Sequence, residues 1–267
     1  MARTRAGTPT AARASRRTTS HDHADGPGSR ASRRAEPRAW PFRAPGPSLR
    51  AGYSSGVKLD DLRREYAGVP LTEAAAGDSP LPLFERWFQE AIAAEVPFAD
   101  GMILATSGPD GQPSARVVLL KRFDARGFVF YSNYESRKAE ELAANPAAAL
   151  LFWWPVLHRQ VRVEGPVARL SAEDSDAYFA SRPRGSNLSA MASPQSRVIA
   201  SRDALEREVA QCTSAWEGKD LVRPEGWGGY CLAPQAIEFW QGRPDRLHDR
   251  LRFRSGGQGW TRDRLCP

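Results

Sequence analysis

The chain reads as an α+β protein, mainly β: an antiparallel, closed or nearly closed β-barrel with peripheral helices. Three observations predict this. At least six apolar stretches of strand length follow one another, separated by turns rich in Gly, Pro and Asp. Helical periodicity is confined to a few isolated segments. Strands and helices do not alternate as repeating βαβ units, and neither GxGxxG nor GxxxxGK[ST] occurs, which argues against a doubly wound nucleotide-binding sheet.

The elements follow in order. Residues 57–66 open the folded body. Residues 83–95 form an amphipathic helix, with Leu83, Trp87, Ala91 and Ile92 expected on one side. Asp78 and Ser79 supply its start signals, followed by prolines at 80 and 82. The period then changes to two. Strands are expected at 102–107, 114–123 and 128–132, joined by turns at 108–113 and 124–127, so that two hairpins make a meander. Ser136 caps a short helix over 136–145. Strands at 147–154 and 158–170 come next, then helices at 172–181 and 202–217, the latter opening at Ser201 or Asp203. Closing strands fall at 228–240, 247–254 and 259–264.

Charge divides the chain. Of its net +7, residues 1–55 hold a surplus of eight, with eleven arginines against Asp22, Asp25 and Glu36. The remainder therefore sums to −1 and carries no electrostatic footprint for nucleic acid. Residues 1–55 are rich in Ala, Arg, Ser, Gly and Pro and lack aliphatic periodicity, so they are expected to be a disordered extension. A non-functional extension, an organelle-targeting segment and a polyanion-binding arm are the competing readings, the first being favoured. Residues 56–267 are expected to form a single domain. Cys212, Cys231 and Cys266 form no CxxC pair, and His21, His23, His158 and His248 are dispersed, so no metal site is expected. Sparse cysteines and the lack of any apolar run near about 18 residues point to a cytoplasmic protein without a membrane span.

Four segments carry candidate chemistry. Residues 237–250 place Trp240, Arg246, His248 and Arg250 close together, which suits a flat ring and an anion as well as it suits a salt-bridged strand end. Arg116 and Lys121 bracket a strand of apolar residues. Tyr131 and Ser132 end the next strand, and Arg137 and Lys138 open a helix. Cations are unfavourable at a helix N-terminus unless an anion is near, so this start reads as a phosphate cradle. Tyr178 and Arg182 share a helical face, with Arg184 and Ser186 beyond Pro183, either as a second anion grip or as a charged helix end. Gln160, Gln195 and Ser196 carry little information singly.

Together these segments resemble the pyridoxamine 5′-phosphate oxidase family of FMN-dependent enzymes. The matching pieces are Leu-Arg-Arg-Glu-Tyr at 62–66, Leu-Phe-Glu-Arg-Trp at 83–87, Arg-Val-Val-Leu-Leu-Lys at 116–121, Phe-Tyr-Ser-Asn at 130–133 and Ser-Arg-Lys-Ala at 136–139. Arg-Gln-Val at 159–161, Ser-Arg-Pro-Arg at 181–184, Gln-Ser at 195–196, Trp-Gly-Gly at 227–229, Ile-Glu-Phe-Trp-Gln-Gly at 237–242, Arg-Leu-His-Asp-Arg at 246–250 and Asp-Arg-Leu-Cys-Pro at 263–267 complete the series. Their order and spacing agree over essentially the whole body.

The resemblance implies an FMN-binding split β-barrel and a homodimer with FMN in clefts between subunits. It assigns the cofactor to Arg116, Val117, Val118, Leu119, Leu120, Lys121, Tyr131, Ser132, Arg137, Lys138, Gln160, Gln195, Ser196, Trp240 and Arg250. It assigns the substrate to Lys121, Tyr178, Arg182, Ser186, Arg246, Leu247 and His248, with Arg63, Arg64, Glu65 and Tyr66 on a segment that closes over it; Arg246 and His248 are the catalytic pair. The implied reaction oxidises phosphorylated B6 vitamers to pyridoxal 5′-phosphate, with dioxygen as acceptor and hydrogen peroxide as by-product. The alternatives are a related flavin oxidase acting on another ring, such as a phenazine-pathway intermediate, and a non-catalytic flavin or pyridoxal-phosphate binding protein. Residues 97–102 depart from the family pattern, and residues 1–55 have no counterpart in it.

Overall fold

The computed structural model describes residues 65–267. The expected boundary at residue 55, and Arg63 and Arg64, lie outside them. Ten strands are formed among the described residues, and every pairing is antiparallel. They are β1 (Gly101–Ser107), β2 (Pro113–Leu119), β3 (Arg122–Asp124), β4 (Gly127–Asn133), β5 (Ala147–Trp154), β6 (Arg159–Arg169), β7 (Trp227–Leu232), β8 (Ala236–Gln241), β9 (Asp249–Gly256) and β10 (Gly259–Arg264). The main order is β10-β9-β8-β6-β5-β1-β2, and a second arm, β7-β4-β3, branches from β6.

The branch point explains the split in the barrel. Arg159 to Glu164 of β6 pair with β8, whereas Val167 to Arg169 pair with β7. The exchange falls at Gly165 and Pro166. Proline has no N–H to give to a ladder, and the Pro166 carbonyl accepts Ala233 N–H at 2.9 Å while the Glu164 carbonyl accepts Gln235 N–H at 2.8 Å. The turn between β7 and β8 thus presses its backbone onto Gly165. A Cβ there would lie 2.0 Å from the Ala233 oxygen.

Helices cover the sheets: α1 (Glu73–Ala76), α2 (Pro80–Ala93), α3 (Arg137–Ala144), α4 (Ala172–Ser181), α5 (Arg184–Ala192) and α6 (Arg202–Ala215). The expected start of α2 is found, with Ser79 as the extended cap residue and Pro80 at the first position, where no N–H is needed. Its buried face is Leu83, Phe84, Trp87 and Ala91. Phe84 meets Phe123, Phe128 and Phe152 at ring-centroid distances of 4.8, 4.9 and 5.1 Å, and Trp87 meets Phe239 at 5.3 Å. Ile92 is exposed rather than buried. It lies nine residues beyond Leu83, half a turn out of phase with that face. Alternate residues of the sheet (Leu150 and Phe152, Val161 and Val163, Ile237 and Phe239, Leu251 and Phe253) complete the core.

Three further differences from the sequence expectation have physical causes. The strand expected at 114–123 is two strands: Leu120 N–H bonds to the Asp100 carbonyl, but Lys121 N–H bonds to that of Val129, so the chain changes sheets between them. The stretch 228–240 is likewise β7 and β8, broken at 233–235 around Pro234. Residues expected to trail from a helix end at Pro183 instead begin α5, with Pro183 as its cap residue.

Replacing Gly165 with Ala is expected to destabilise the fold by about 3 kcal/mol or more, read from the urea midpoint, because backbone on both sides has nowhere to move. A loss below about 1 kcal/mol would mean that the junction yields.

Candidate active site

A cavity of about 880 Å³ opens where β2, the end of β4, α3, the α4–α5 corner and β7 converge. Its lining includes Arg116, Lys121, Lys138 and Arg182 and no carboxylate. Four cations without a counter-charge on the wall describe a receptor for an anion.

Lys138 is the most enclosed of these cations. It occupies the first turn of α3, and its Nζ donates to Gln195 Oε1 at 2.7 Å, Ser132 Oγ at 3.1 Å and Ser136 Oγ at 3.2 Å. All three acceptors are neutral. Burial, and then the nearby Arg116, push the ammonium down to about 8, with Glu141 opposing. Ser136 is the N-cap residue, but its hydroxyl donates to the Asn133 carbonyl at 2.7 Å instead of capping a helix N–H. Arg116 is fixed by the Leu104 carbonyl at 3.2 Å, Glu141 Oε2 at 3.1 Å and the hydroxyls of Thr106 and Ser114. Arg137 turns away: it pairs with Glu141 Oε1 at 2.8 Å and borders a separate smaller cavity.

The same cavity is lined by an aromatic stack. Tyr131 and Tyr178 lie face to face at 3.8 Å, and Trp227 continues the stack 5.5 Å from Tyr131. The Arg182 guanidinium lies 4.6 Å from the Trp227 ring centroid, a cation–π contact. Arg182 also donates to Asn187 Oδ1 at 2.9 Å and to the Ser186 carbonyl at 3.3 Å. Asn187 is buried, its own Nδ2 donating to the Phe179 carbonyl at 2.8 Å.

Of the expected site residues, Arg116, Val117, Val118, Leu119, Lys121, Tyr131, Ser132, Lys138, Tyr178, Arg182, Ser186 and Gln195 line this cavity. Leu120 is buried beneath it, and Ser196 lies in the neighbouring loop with a left-handed backbone, φ 71°. The others gather elsewhere. Gln160, Trp240 and Arg250 are opposite one another on β6, β8 and β9. Tyr66 packs edge-on against His158, Trp240 and His248 at 5.2, 5.4 and 5.3 Å, and Glu65 precedes it on the surface. Arg246 and Leu247 are exposed on the turn before β9; Asp245 and Arg246 both have positive φ. Such strained backbone is held only where the surroundings demand it. His248 Nδ1 accepts the Arg243 N–H at 3.1 Å, which leaves the proton of the neutral ring on Nε2. Burial and Arg246 lower its basicity, so it is neutral at pH 7.

This second group does not reach the cavity within one protomer. From β2 to β8 the sheet runs through β1, β5 and β6, four strand spacings or roughly 19 Å along its surface. Trp227, Asn187 and Glu141 were missed by sequence reasoning. Trp227 belongs to the matching piece at 227–229 but is given no role there, and only the fold brings it beneath Arg182.

A face of the sheet connects the two groups. Ile103 has Val117 and Leu151 as its cross-strand neighbours on either side, and the same face continues past Trp153 and Gln160 to Trp240 and Arg250. Phe98 (80% exposed), Val117 (68%) and Trp153 (43%) border an apolar groove of about 440 Å³ on it. A contiguous exposed apolar face is a mark of association.

Comparison with known proteins places these features in a context. Residues 88–215 match the profile described as pyridoxamine 5′-phosphate oxidase, and residues 227–267 match the pyridoxine 5′-phosphate oxidase C-terminal dimerisation region. A pyridoxine/pyridoxamine 5′-phosphate oxidase of Rubrobacter xylanophilus is 56% identical over 209 residues, 78% of this chain and 96% of that protein. One of Thermosynechococcus vestitus is 54% identical over 211 residues, 79% of this chain and all of that protein. Among solved structures, PhzG from Burkholderia lata, in complex with tetrahydrophenazine-1-carboxylic acid, superposes with a TM-score of 0.70 at 31% identity, covering 75% of this chain and all of its own. A pyridoxamine 5′-phosphate oxidase-related, FMN-binding protein of Nostoc punctiforme shares the fold, with a TM-score of 0.56 at 18% identity, covering 69% of this chain and 97% of its own. No helix among the described residues is long and apolar enough to cross a membrane.

The enclosed ammonium has a measurable signature. Unfolded, Lys138 titrates near 10.5; folded, near 8. Between these values the unfolded chain holds the extra proton, so stability gains with rising pH. Wild type is therefore expected to gain stability relative to Lys138→Met as pH rises from about 8 to about 10.5, measured by paired denaturant melts. A constant difference would mean that the ammonium is not depressed.

Proposed function

The chain belongs to the pyridoxamine 5′-phosphate oxidase family, and from that premise we propose that it binds FMN and oxidises pyridoxamine 5′-phosphate or pyridoxine 5′-phosphate to pyridoxal 5′-phosphate. The supporting observation is the cavity whose lining, among the described residues, combines Arg116, Lys121, Lys138 and Arg182 with an aromatic stack and holds no carboxylate. Its donor set suits two phosphorylated ring compounds. Lys138, Arg116 and Ser132 lie together and would hold the cofactor phosphate, with Gln195 tying Lys138 to Ser132. Arg182 and Ser186 lie at the other helix corner and would hold the substrate phosphate, with Tyr178 beside the ring.

When bound, FMN would supply the two-electron acceptor for oxidation at the substrate carbon bearing the amine or hydroxyl, with dioxygen as the final acceptor and hydrogen peroxide as its product. The protein's part is to fix the two rings against each other; with the amine substrate the oxidised carbon is an imine, which takes up water and releases ammonia to give the aldehyde. Lys121, held to Asp100 at 3.1 Å, lines the same cavity. His248 offers its Nε2–H as a neutral donor that orients the substrate ring, and Arg246 covers that ring.

Both of these residues, with Gln160, Trp240 and Arg250, lie on the second group. We assign them to the cavity of a second copy, brought there by pairing of the exposed apolar faces. The match to a dimerisation region over residues 227–267 supports this, since it contains β7 to β10 and all of the second group except Gln160 and the Glu65–Tyr66 segment. In this reading Tyr66 arrives with the same copy as His248, because the two rings are already in contact.

The purified protein is expected to show flavin absorbance and to form pyridoxal 5′-phosphate with release of peroxide. Bound FMN with no turnover of either phosphorylated substrate would overturn the assignment. Arg182→Ala should raise KM for pyridoxamine 5′-phosphate by about 10- to 100-fold while kcat changes by less than about threefold, the loss of one charged hydrogen-bonding partner. Equal loss in kcat would place Arg182 in the chemical step instead. Ile103→Glu, on the apolar face, should give a monomer by light scattering that has lost its flavin; a dimer that keeps flavin would remove the two-copy site.

A further inference from the structure

Behind the cationic wall lies one carboxylate for which the proposed chemistry has no direct use. Glu141 is buried on α3, one turn after Arg137. Its Oε2 accepts Thr106 Oγ1 at 2.6 Å from β1, Ser114 Oγ at 2.6 Å from β2 and Arg116 Nη2 at 3.1 Å, and its Oε1 accepts Arg137 Nε at 2.8 Å. Burial alone would raise this carboxyl, but the hydrogen bonds from Ser114, Thr106, Arg137 and Arg116 outweigh it and hold it at about 2. It is ionised at any working pH. It does not line the large cavity.

We infer that Glu141 is a positioning residue of the flavin-phosphate site, which locks the Arg116 guanidinium into the cavity wall and sets the charge of that wall to suit one phosphate monoester. The inference rests on the FMN reading above. Two lines of geometry carry it. The first is orientation. The other acceptors of Arg116 are a carbonyl and two hydroxyls, all neutral. Both hydroxyls also belong to the network: Thr106 and Ser114 each touch Arg116 and Glu141, so the carboxylate orders the hydroxyls that order the arginine. A guanidinium fixed before its ligand arrives loses little freedom on binding. The second is charge. Arg116, Arg137 and Lys138 lie around one helix start; Glu141 offsets Arg137, which turns away from the cavity, and leaves Arg116 and Lys138 to face it. The surplus of two positive charges matches the −1.5 to −2 that a phosphate monoester carries near pH 7, roughly as for a phosphorylated side chain. Without Glu141 the three cations repel one another, and Lys138, already pushed down by Arg116 and supported by Glu141, sheds its proton more readily.

The helix period explains the division of labour. Arg137 and Glu141, four residues apart, share one face, while Lys138 is rotated by about 100° toward the cavity. One turn of α3 thus presents a cation forward and its balancing carboxylate behind.

The test separates phosphate recognition from flavin recognition. Flavin-free full-length protein, wild type and Glu141→Gln, is titrated with FMN and with riboflavin, which lacks the phosphate, following flavin fluorescence. Glu141→Gln is expected to weaken FMN by about 10- to 100-fold and to leave riboflavin within about threefold, so the preference for FMN collapses. An unchanged FMN-to-riboflavin ratio overturns the inference, whether both affinities persist or both fall together, the latter marking a purely structural role. Wild type that binds FMN no better than riboflavin overturns the FMN-phosphate reading itself, and this inference with it. If Glu141→Gln does not fold, Ser114→Ala keeps the carboxylate but removes one of its anchors. It should weaken FMN by about threefold to tenfold with riboflavin unchanged, and an unchanged preference for FMN there overturns the inference equally.

Discussion

One strand serving two sheets is the constraint on which the rest of this structure depends. β6 pairs with β8 along its first half and with β7 along its end, and the change is made at Gly165 and Pro166, where no side chain and no N–H interfere. Because β7 leaves β6 at this point, the arm β7-β4-β3 diverges from the main sheet. The divergence makes room for α3, α4 and α5 to close over the end of β4. The cavity follows from that opening. Tyr131 and Ser132 come from β4 and Trp227 from β7, while Arg116 to Leu119 come from β2 at the edge of the main sheet.

The cations that face the cavity and those on the far side of the sheet are handled in different ways. Lys138 is surrounded by neutral oxygens and is accordingly depressed. Arg116 is backed by Glu141, and Arg250, in the second group, is backed by Glu238, a buried carboxylate that also accepts Arg162 at 2.6 Å. Buried pairs of this kind are weak contributors to stability, because desolvation offsets much of the attraction. Their value here is geometric: each arginine is held in one orientation while part of its guanidinium remains available. Arg182 is held differently again, by a ring below it and an amide beside it, with no carboxylate paired to it among the described residues.

The separation of the two groups of site residues follows from the sheet order. Four strand spacings lie between β2 and β8, and no side chain spans them. Yet the two groups are joined by a continuous face whose middle is apolar and exposed. A face of that kind is costly to leave in water and is removed from it by association. Two residues of this exposed face, Val117 and Leu119, also line the cavity. In the proposed two-copy site, subunit pairing and ligand binding act on one surface, and each is expected to support the other.

The sequence alone determined the class of the fold and the position of most elements, and it raised the expectation of an anionic ligand. Alternation at period two marked the strands, Ser79-Pro80 marked a helix start, and basic residues at the opening of α3 marked an anion. These signals are local, since each depends on residues within one or two turns of one another. The tertiary structure decided what depends on contacts between distant segments. It broke the strand at Leu120–Lys121, because ladder partners change there while the alternation of side chains does not. It started a helix after Pro183 where sequence reasoning ended one, and turned Ile92 outward. It placed Trp227 under Arg182 and Glu141 behind Arg116, pairs that are 45 and 25 residues apart in sequence. It also divided the expected site residues between two surfaces of one protomer. A sequence pattern records which side of a strand a residue faces, but not how many strands separate it from its partners, and that distance decides which residues meet.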